Sequence, residues 1–115
     1  DAVSVDDVAK TLRVKWETVR GLIRLRLFRV GKAGIARTAI EAFQTDFVAG
    51  AHLAQAAGLS PRAIMKAMSE SGVYPVAAPP RCRQVFYRRS DVAGSRDIIS
   101  RYPALRAAAF RSKAA

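Results

Sequence analysis

Apolar residues recur along this chain at helical spacing, and the same arrangement occurs twice. The first set comprises Val5, Val8, Ala9, Leu12, Val14, Val19 and Ile23. A shift of 45 residues leads to Gly50, Leu53, Ala54, Ala57, Leu59, Ile64 and Met68, so that six of the seven positions remain apolar. Intervals of three and four residues predict amphipathic helices. Because a repeat of this length is typical of a duplicated supersecondary unit, we expect two related halves.

The first half is predicted to contain two short helices joined by a tight turn. Ser4 is a favourable N-cap for a helix over 5–12, and Asp7 places an acidic side chain in its first turn. The turn falls at 14–15, and a second helix is expected over 16–26. This arrangement is the outline of a helix-turn-helix.

A β-hairpin and a third helix are expected to complete the first half. Apolar residues over 27–30 predict a strand, the glycine-rich stretch 31–34 predicts a turn, and 35–37 predict the returning strand. Thr38 can cap the helix that follows. A hairpin in this position is the wing of a winged helix-turn-helix.

The second half follows the same course with a longer hairpin. A helix over 50–57 precedes Ser60 and Pro61, an N-cap followed by proline at the first helical position. The helix that they begin is expected to end near Gly72. The hairpin would then span 73–87, about six residues longer than the first one.

These elements define the predicted fold class, which is mainly α with small β-hairpin wings in two tandem winged helix-turn-helix units. The units are expected over 1–46 and 47–102, followed by a basic C-terminal tail over 103–115. The tail has a helical composition that is interrupted before Pro103. We expect it to be either a packing helix or an arm that contacts phosphates.

Two stretches resemble a known family. The opening of MerR-like and phage-excisionase-like winged helix-turn-helix domains resembles Val5-x-x-Val8-Ala9-x-x-Leu12-x-Val14-x-x-x-Thr18-Val19-Arg20. The same turn and the start of the family's wing resemble Leu59-Ser60-Pro61-Arg62-Ala63-Ile64 and Gly72-Val73-Tyr74-Pro75. Tandem domains of this sort are similar to those of TniQ-type transposition proteins. The resemblance implies a bacterial DNA-binding protein of transcription regulation or of DNA transposition and recombination.

Basic residues are concentrated in two blocks. The formal net charge is +11, and the blocks 13–37 and 79–115 each carry +7 while the remaining residues sum to −3. Arginine outnumbers lysine by fifteen to five, which favours the planar, bidentate recognition of phosphates and guanine edges. A solvated basic surface is the simpler alternative. We interpret the two blocks as DNA-binding surfaces.

The second helix of each half can place the side chains of its first turn against base edges in a major groove. The arginines of each hairpin can enter a minor groove. The predicted contacts are Lys15, Trp16, Thr18, Arg20, Arg24, Arg29, Lys32, Arg37, Ser60, Arg62, Lys66, Arg81, Arg83, Arg88 and Arg89. Two of them have structural alternatives. Trp16 can equally belong to the core, and Ser60 can act as a cap.

Three further residues carry open alternatives. Cys82 lies between two arginines, which would favour a thiolate redox sensor, although a wing residue without special chemistry is the favoured interpretation. Phe86 and Tyr87 alternate along one predicted strand, so one is expected to face the core and the other solvent or ligand.

Other function classes receive little support from the sequence. One cysteine and one histidine do not make a four-ligand zinc site, and neither a catalytic constellation nor a Walker-type loop is present, so we expect no enzyme, metal or cofactor. No apolar run approaches the roughly 20 residues of a membrane helix, and the acidic N-terminus is unlike a signal peptide. We expect a cytoplasmic, nucleoid-associated fragment of a longer protein, without a small-molecule substrate.

The expected partner is double-stranded DNA, together with transposition or transcription proteins. The main alternative is a protein-interaction module in which one winged unit docks onto a partner protein and only the other binds DNA. A third interpretation is binding of structured RNA.

Overall fold

The computed structural model describes residues 2–110. The fold is mixed α/β, 56% helical with small antiparallel sheets. The helices are α1 (Val5–Leu12), α2 (Trp16–Arg24), α3 (Arg37–Asp46), α4 (Gly50–Ala57), α5 (Pro61–Glu70), α6 (Arg89–Ala93), α7 (Arg96–Arg101) and α8 (Leu105–Ala109). The strands are β1 (Ala2–Val3), β2 (Val30–Gly31), β3 (Gly34–Ala36), β4 (Phe47–Ala49) and β5 (Phe86–Arg88).

The chain divides into two compact units. Unit 1 contains the described residues up to Thr45 together with Ala77–Gln84, and unit 2 contains Asp46–Val76 with the described residues from Val85 onward. The sequence pattern assigns 77–84 to the wing of the second half, so its membership of unit 1 differs from that expectation. The contacts that hold this segment to α2 explain the difference and are described below.

Unit 1 begins with the predicted helix pair. The Oγ of Ser4 accepts a hydrogen bond from the backbone N–H of Asp7 at 3.2 Å, and the Asp7 carboxylate accepts one from the backbone N–H of Ser4 at 3.3 Å. This reciprocal capping box fixes the start of α1. At the other end, Arg13 adopts the left-handed conformation (φ 57°), and its N–H bonds to the carbonyls of Ala9 and Lys10. The chain thereby turns and begins α2 after three residues.

The sheet of unit 1 has β3 between β1 and β2, with both pairs antiparallel. Ile35 of β3 lies opposite Val3 on one side and Val30 on the other. Gly34 has a φ of 118°, and a Cβ there would lie 3.0 Å from the Val3 carbonyl oxygen. The hairpin therefore requires glycine at this position. The predicted hairpin is present, with a first strand of two residues in place of the four expected over 27–30 and a returning strand of the expected length, one residue earlier.

The chain between α2 and this hairpin differs from the strand predicted over 27–30. Arg26 is left-handed (φ 61°), which ends the helical path. Phe28 is then buried and stacks on Phe43 of α3, with ring centroids 4.5 Å apart. Core packing of this ring replaces strand pairing until Val30, where β2 begins.

The core of unit 1 lies between its helices and its sheet. Its larger buried apolar side chains are Val8, Val19, Leu22, Phe28, Ile35, Ile40 and Phe43. Full burial of a side chain of this size stabilises a fold by about 1.5–3 kcal/mol. The core therefore fixes the face of α2 that points inward, and by helical periodicity it also fixes the face that remains for a ligand.

Unit 2 begins with a two-stranded ribbon, in which Val48 of β4 lies opposite Tyr87 of β5. α4 follows without a side-chain cap, because its N-cap residue is Ala49. The N–H of Gly50 instead donates to the carbonyl of Val85 at 2.8 Å. A backbone contact with the chain before β5 thus takes the place of the Ser4 cap that begins α1.

The second helix pair contains the predicted turn residues. Gly58 is left-handed (φ 70°) at the end of α4, and the Ser60 Oγ then accepts a hydrogen bond from the N–H of Ala63 at 3.1 Å. Pro61 occupies the first turn of α5. Gly72 follows the helix with a φ of 76°. The cap, the proline and the closing glycine expected from sequence are confirmed.

The chain that follows α7 packs into the core of unit 2. Leu105 and Ala108 of α8 are buried in the same cluster as Leu53 and Ile64 of the helix pair. For α8, the expected tail is therefore a packing helix and not an arm that contacts phosphates. The tail was predicted over 103–115, of which 111–115 lie outside the described residues.

Two expectations for the second hairpin are wrong. No strand forms over 73–76, where a hydrogen bond from the Val76 N–H to the Phe86 carbonyl (2.9 Å) takes its place. Phe86 and Tyr87 are both buried, although alternation predicted one of them to face outward. Neighbouring side chains of a strand point to opposite faces, so one of the two is exposed only where one face of the strand meets solvent. β5 is covered on both faces.

The elements recur in the same order at two offsets. α1 and α4 are 45 residues apart, as are the starts of α2 and α5. β3 and β5 are 52 residues apart, as are the starts of α3 and α6. The offset changes between α5 and β5, the stretch that contains the segment 77–84. The additional residues of the second half therefore include a segment that belongs to unit 1.

Candidate nucleic-acid interface

The outward face of α2 carries Trp16, Arg20 and Arg24, here called the α2 strip. These residues follow one another at intervals of four, which places them along one side of a helix. All three are exposed, and 48% of Trp16 is accessible, so the core alternative for Trp16 is wrong. The Arg20 guanidinium lies 5.7 Å from the centroid of the Trp16 ring, a cation–π contact that orients both side chains.

One edge of the α2 strip adjoins the start of α1. Val5 and Asp6 of α1 and Ile23 of α2 line a groove of about 420 Å³ together with the α2 strip. The groove is open and shallow, without the enclosure of a small-molecule pocket. Lys15, the N-cap of α2, is exposed at the head of the helix and makes no side-chain cap hydrogen bond. It is therefore available to a ligand.

The opposite edge of α2 is covered by the segment 77–84. A Cβ on Gly21 would lie 3.0 Å from the Cα of Cys82 and 3.1 Å from the carbonyl oxygen of Arg81, so the two backbones are in direct contact. The Cys82 thiol is buried and donates to the carbonyl oxygen of Thr18, with 3.7 Å between Sγ and O. Gly21 permits this approach because it has no side chain.

Burial at this contact corrects two expectations. Thr18 is fully buried, so its side chain cannot reach DNA without unfolding of this region. The redox-sensor interpretation of Cys82 is also wrong, because a sensor thiol must be accessible to an oxidant and this one is covered by α2. Both side chains act in packing.

The same segment places two arginines beside α2. Arg81 and Arg83 flank the buried Cys82, and both are exposed. The Arg83 guanidinium lies 3.3 Å from the Glu17 carboxylate, one turn before Gly21. The sequence pattern places these arginines in the second wing. Their position next to the α2 strip was not predicted. Gly21 was the available signal, because a glycine within a helix costs about 0.5–1 kcal/mol relative to alanine and so indicates a close approach of another backbone.

The hairpin of unit 1 carries the next group of predicted contacts. Arg29 and Lys32 are exposed and line a groove of about 480 Å³ together with residues of β1 and β3. Arg37 is exposed at the start of α3. The three cations thus lie on the surface of the hairpin and its immediate continuation, as predicted.

In unit 2, α5 presents a less basic face. Arg62 and Lys66 are exposed, whereas Met65 and Ser69 occupy the positions equivalent to Arg20 and Arg24. The Ser60 hydroxyl oxygen already accepts the capping hydrogen bond of Ala63. Ser60 therefore acts as a helix cap, and any contact of its side chain with DNA would be made in addition to this hydrogen bond.

Two predicted contacts of unit 2 have partners in the fold. The Arg88 guanidinium lies 5.3 Å from the ring centroid of Phe47, while its residue stays exposed. Arg89 is partly buried and donates to the carbonyl oxygen of Ala108 in α8. One guanidinium nitrogen of Arg89 thus satisfies a helix C-terminus, and its contact with a phosphate stays a prediction.

Among residues 2–110, no group of three or more His, Cys, Asp or Glu side chains could hold a metal ion. Within the same range, no helix is long and apolar enough to cross a bilayer. No protein-family model matches the chain, and no curated protein or solved structure shows significant similarity to it.

Proposed function

We propose that this chain binds double-stranded DNA through two winged helix-turn-helix units, in transcription regulation or in DNA transposition. The α2 strip is the observation that carries the proposal. A short helix after a tight turn presents an aromatic side chain and two arginines on one exposed side. A helix of this size fits a major groove, where arginine can pair with guanine and an aromatic ring can contact a thymine methyl group.

Unit 1 supplies further cations in positions suited to phosphates. Arg29 and Lys32 on the hairpin are exposed, and Lys15 stands at the positive end of the α2 dipole. Phosphate contacts fix the register of a protein on the duplex, while groove contacts select the sequence. The hairpin corresponds to a wing, and α2 to a recognition helix. The relation to MerR-like, excisionase-like and TniQ-type proteins belongs to the same proposal.

Unit 2 supplies a second helix of the same kind. Arg62 and Lys66 of α5 would contact one groove or its phosphates, and Arg88 would contact the backbone nearby. Two different helices in one polypeptide fit a composite, non-palindromic site. The proposed activity involves binding alone, without catalysis or a cofactor, and the proposed setting is a bacterial nucleoid.

Selection from random duplexes followed by a salt titration tests the proposal. If six to ten phosphates are neutralised, affinity should fall by about 10³ to 10⁵ between 50 and 200 mM salt. An R20A/R24A variant should bind the selected duplex more weakly, whereas R96A, which alters an exposed arginine of α7, should not. Affinity that hardly responds to salt, or equal losses in both variants, would contradict DNA binding through α2.

A second candidate function concerns α5 alone. Met65, on the outward face of α5, is 38% exposed, and Tyr74, two residues beyond Gly72, is 63% exposed. Exposed apolar side chains on a less basic helix favour docking onto a partner protein of transposition or transcription. An R62A/K66A variant separates the two functions. Loss of DNA affinity supports two DNA-binding heads, and unchanged affinity supports protein docking by unit 2.

A further inference from the structure

The segment 77–84 runs beside the exposed face of α2. Arg83 contacts Glu17 near the start of the helix, and the backbone of Arg81 and Cys82 contacts Gly21 one turn later. Residue numbers rise along the segment as they fall along the helix, so the two run in opposite directions. The segment is therefore an edge of the α2 surface that continues for about one helical turn.

Several contacts hold this edge in place. Ala77 and Cys82 are buried, and the N–H of Cys82 donates to the carbonyl of Ala78 at 3.0 Å, which closes a turn within the segment. The thiol contact with Thr18 and the backbone contact with Gly21 fix the turn against α2. Arg81 and Arg83 are thus presented from a packed backbone, with less entropy to lose on binding than on a free loop.

The charges along this edge favour an anionic partner. The α2 strip holds two guanidinium groups, and Arg81, whose side chain is exposed, contacts Gly21 of the same helix through its backbone. Glu17 is the acidic residue of α2, and Arg83 lies against its carboxylate. Because both side chains are exposed, this ion pair adds at most about 1 kcal/mol to stability. Its larger effect is to offset a negative charge that would repel phosphates.

We infer that the segment 77–84 forms a second phosphate-contacting element of unit 1, in addition to its hairpin. Arg81 binds the backbone of the duplex whose groove α2 enters, and Arg83 is a positioning residue that neutralises Glu17. The inference rests on the proposed function. It assigns to the second half of the chain a direct part in DNA binding by the first unit.

A comparison of two arginine variants tests the role of Arg81 in the chain of 115 residues. R81A should make the dependence of log affinity on log salt less steep by about 0.9, the value for one lost phosphate contact. R96A is the matched control. Arg96 lies in the second basic block but in unit 2, is exposed on α7 and is not among the predicted DNA contacts, so its loss should leave the slope unchanged. Equal slopes for R81A and R96A would overturn the inference.

A charge-rescue experiment tests the role of Arg83. R83A should weaken binding of the selected duplex because Glu17 loses its partner. Adding E17Q to R83A should recover most of the lost affinity, since the unpaired carboxylate is then removed. Failure of this rescue would contradict a positioning role. A duplex RNA competitor should displace the DNA poorly from the wild-type chain, and efficient displacement would overturn DNA as the partner of this edge.

The contact at Gly21 provides a control for placement. G21A would push a methyl group into the backbone of the segment, so Cys82 should react much faster with an aromatic disulfide reagent, and R81A should no longer change the salt slope. Retention of the R81A effect with a reactive thiol would contradict the inference. If circular dichroism shows that G21A does not fold, the comparison of R81A with R96A decides alone.

The two proposals fail in different ways. A wild-type chain without affinity for any duplex would end the proposed function itself. A chain that binds DNA and loses affinity in R20A/R24A, but treats R81A like R96A, would refute the further inference alone.

Discussion

The helices α2 and α5 occupy equivalent places in the repeat but differ at their N-caps and at the position of Gly21. α5 begins on a serine that makes a capping hydrogen bond and continues with proline, whereas α2 begins on Lys15 without a side-chain cap. α2 also contains Gly21 where α5 has Lys66. Both differences make α2 the weaker helix in isolation, since a missing cap costs about 1 kcal/mol and an internal glycine about as much.

The weaknesses of α2 coincide with its candidate contacts. Lys15 replaces a cap with a cation at the head of the helix, and Gly21 admits the segment that carries Arg81 and Arg83. Natural proteins break local rules of stability mainly where function requires it. The comparison is consistent with the proposal that α2 contacts a ligand, while α5 keeps the features that stabilise a helix.

The largest expected effect concerns Leu22 of α2, whose equivalent in α5 is Ala67. Both are buried, so the two helices pack to their units with side chains of different volume. L22A should lower the free energy of unfolding by about 2–5 kcal/mol, because it leaves a cavity. A67L should lower it by about 1–3 kcal/mol through overpacking. Urea denaturation measures both, and a stabilising A67L would show that the core of unit 2 has room for a larger side chain.

Local features were predictable because they depend on neighbours in sequence. Ser4 and Ser60 mark helix starts through hydrogen bonds within four residues, and Pro61 marks one through its fixed φ and missing N–H. All three were identified. The outward placement of Arg20 and Arg24 follows from helical periodicity alone. Most of the helices and the basic face of α2 could therefore be inferred from the chain.

Long-range packing explains what the sequence did not reveal. Cys82 lies against Thr18, 64 residues away, and no periodic pattern encodes that distance. The same limit applies to Arg89, whose partner is a carbonyl of α8, and to Phe86, which is buried on a strand expected to have an open face. An arginine in sequence indicates charge, but the fold decides whether that charge faces solvent or a helix end.

Altering the N-caps of α2 and α5 should change the free energy of unfolding by about 1 kcal/mol. S60A should destabilise the protein by about 0.5–2 kcal/mol because the N–H of Ala63 loses its acceptor. K15S should stabilise it by a smaller amount, since α2 gains a cap, and should weaken DNA binding at the same time. Thermal unfolding together with binding of the selected duplex checks both. If K15S weakened stability, the Lys15 side chain would have a structural role.

Exchanging the surface residues tests whether the helices differ in their ligands. R24A should make the salt dependence of binding less steep by about 0.9, and S69R, at the equivalent position of α5, should make it steeper by a similar amount if α5 also contacts DNA. S69A is the control for the loss of the hydroxyl group. An unchanged slope for S69R, beside a reduced slope for R24A, would favour protein docking by unit 2.

The smallest expected effect concerns the first helix of each pair. The Ser4 hydroxyl and then its backbone N–H donate to the Asp7 carboxylate and hold its pKa below the ordinary value of 3.8. A lowered pKa in the folded state contributes stability above the unfolded value, and this stability is lost as the pH falls through the folded value.

Because α4 begins at Ala49 without a side-chain cap, unit 2 has no equivalent carboxylate at this position. D7N should therefore flatten the acid side of the stability profile slightly, which urea denaturation at a series of acidic pH values measures. A D7N profile identical to that of the wild type would mean that the capping box contributes no pH dependence.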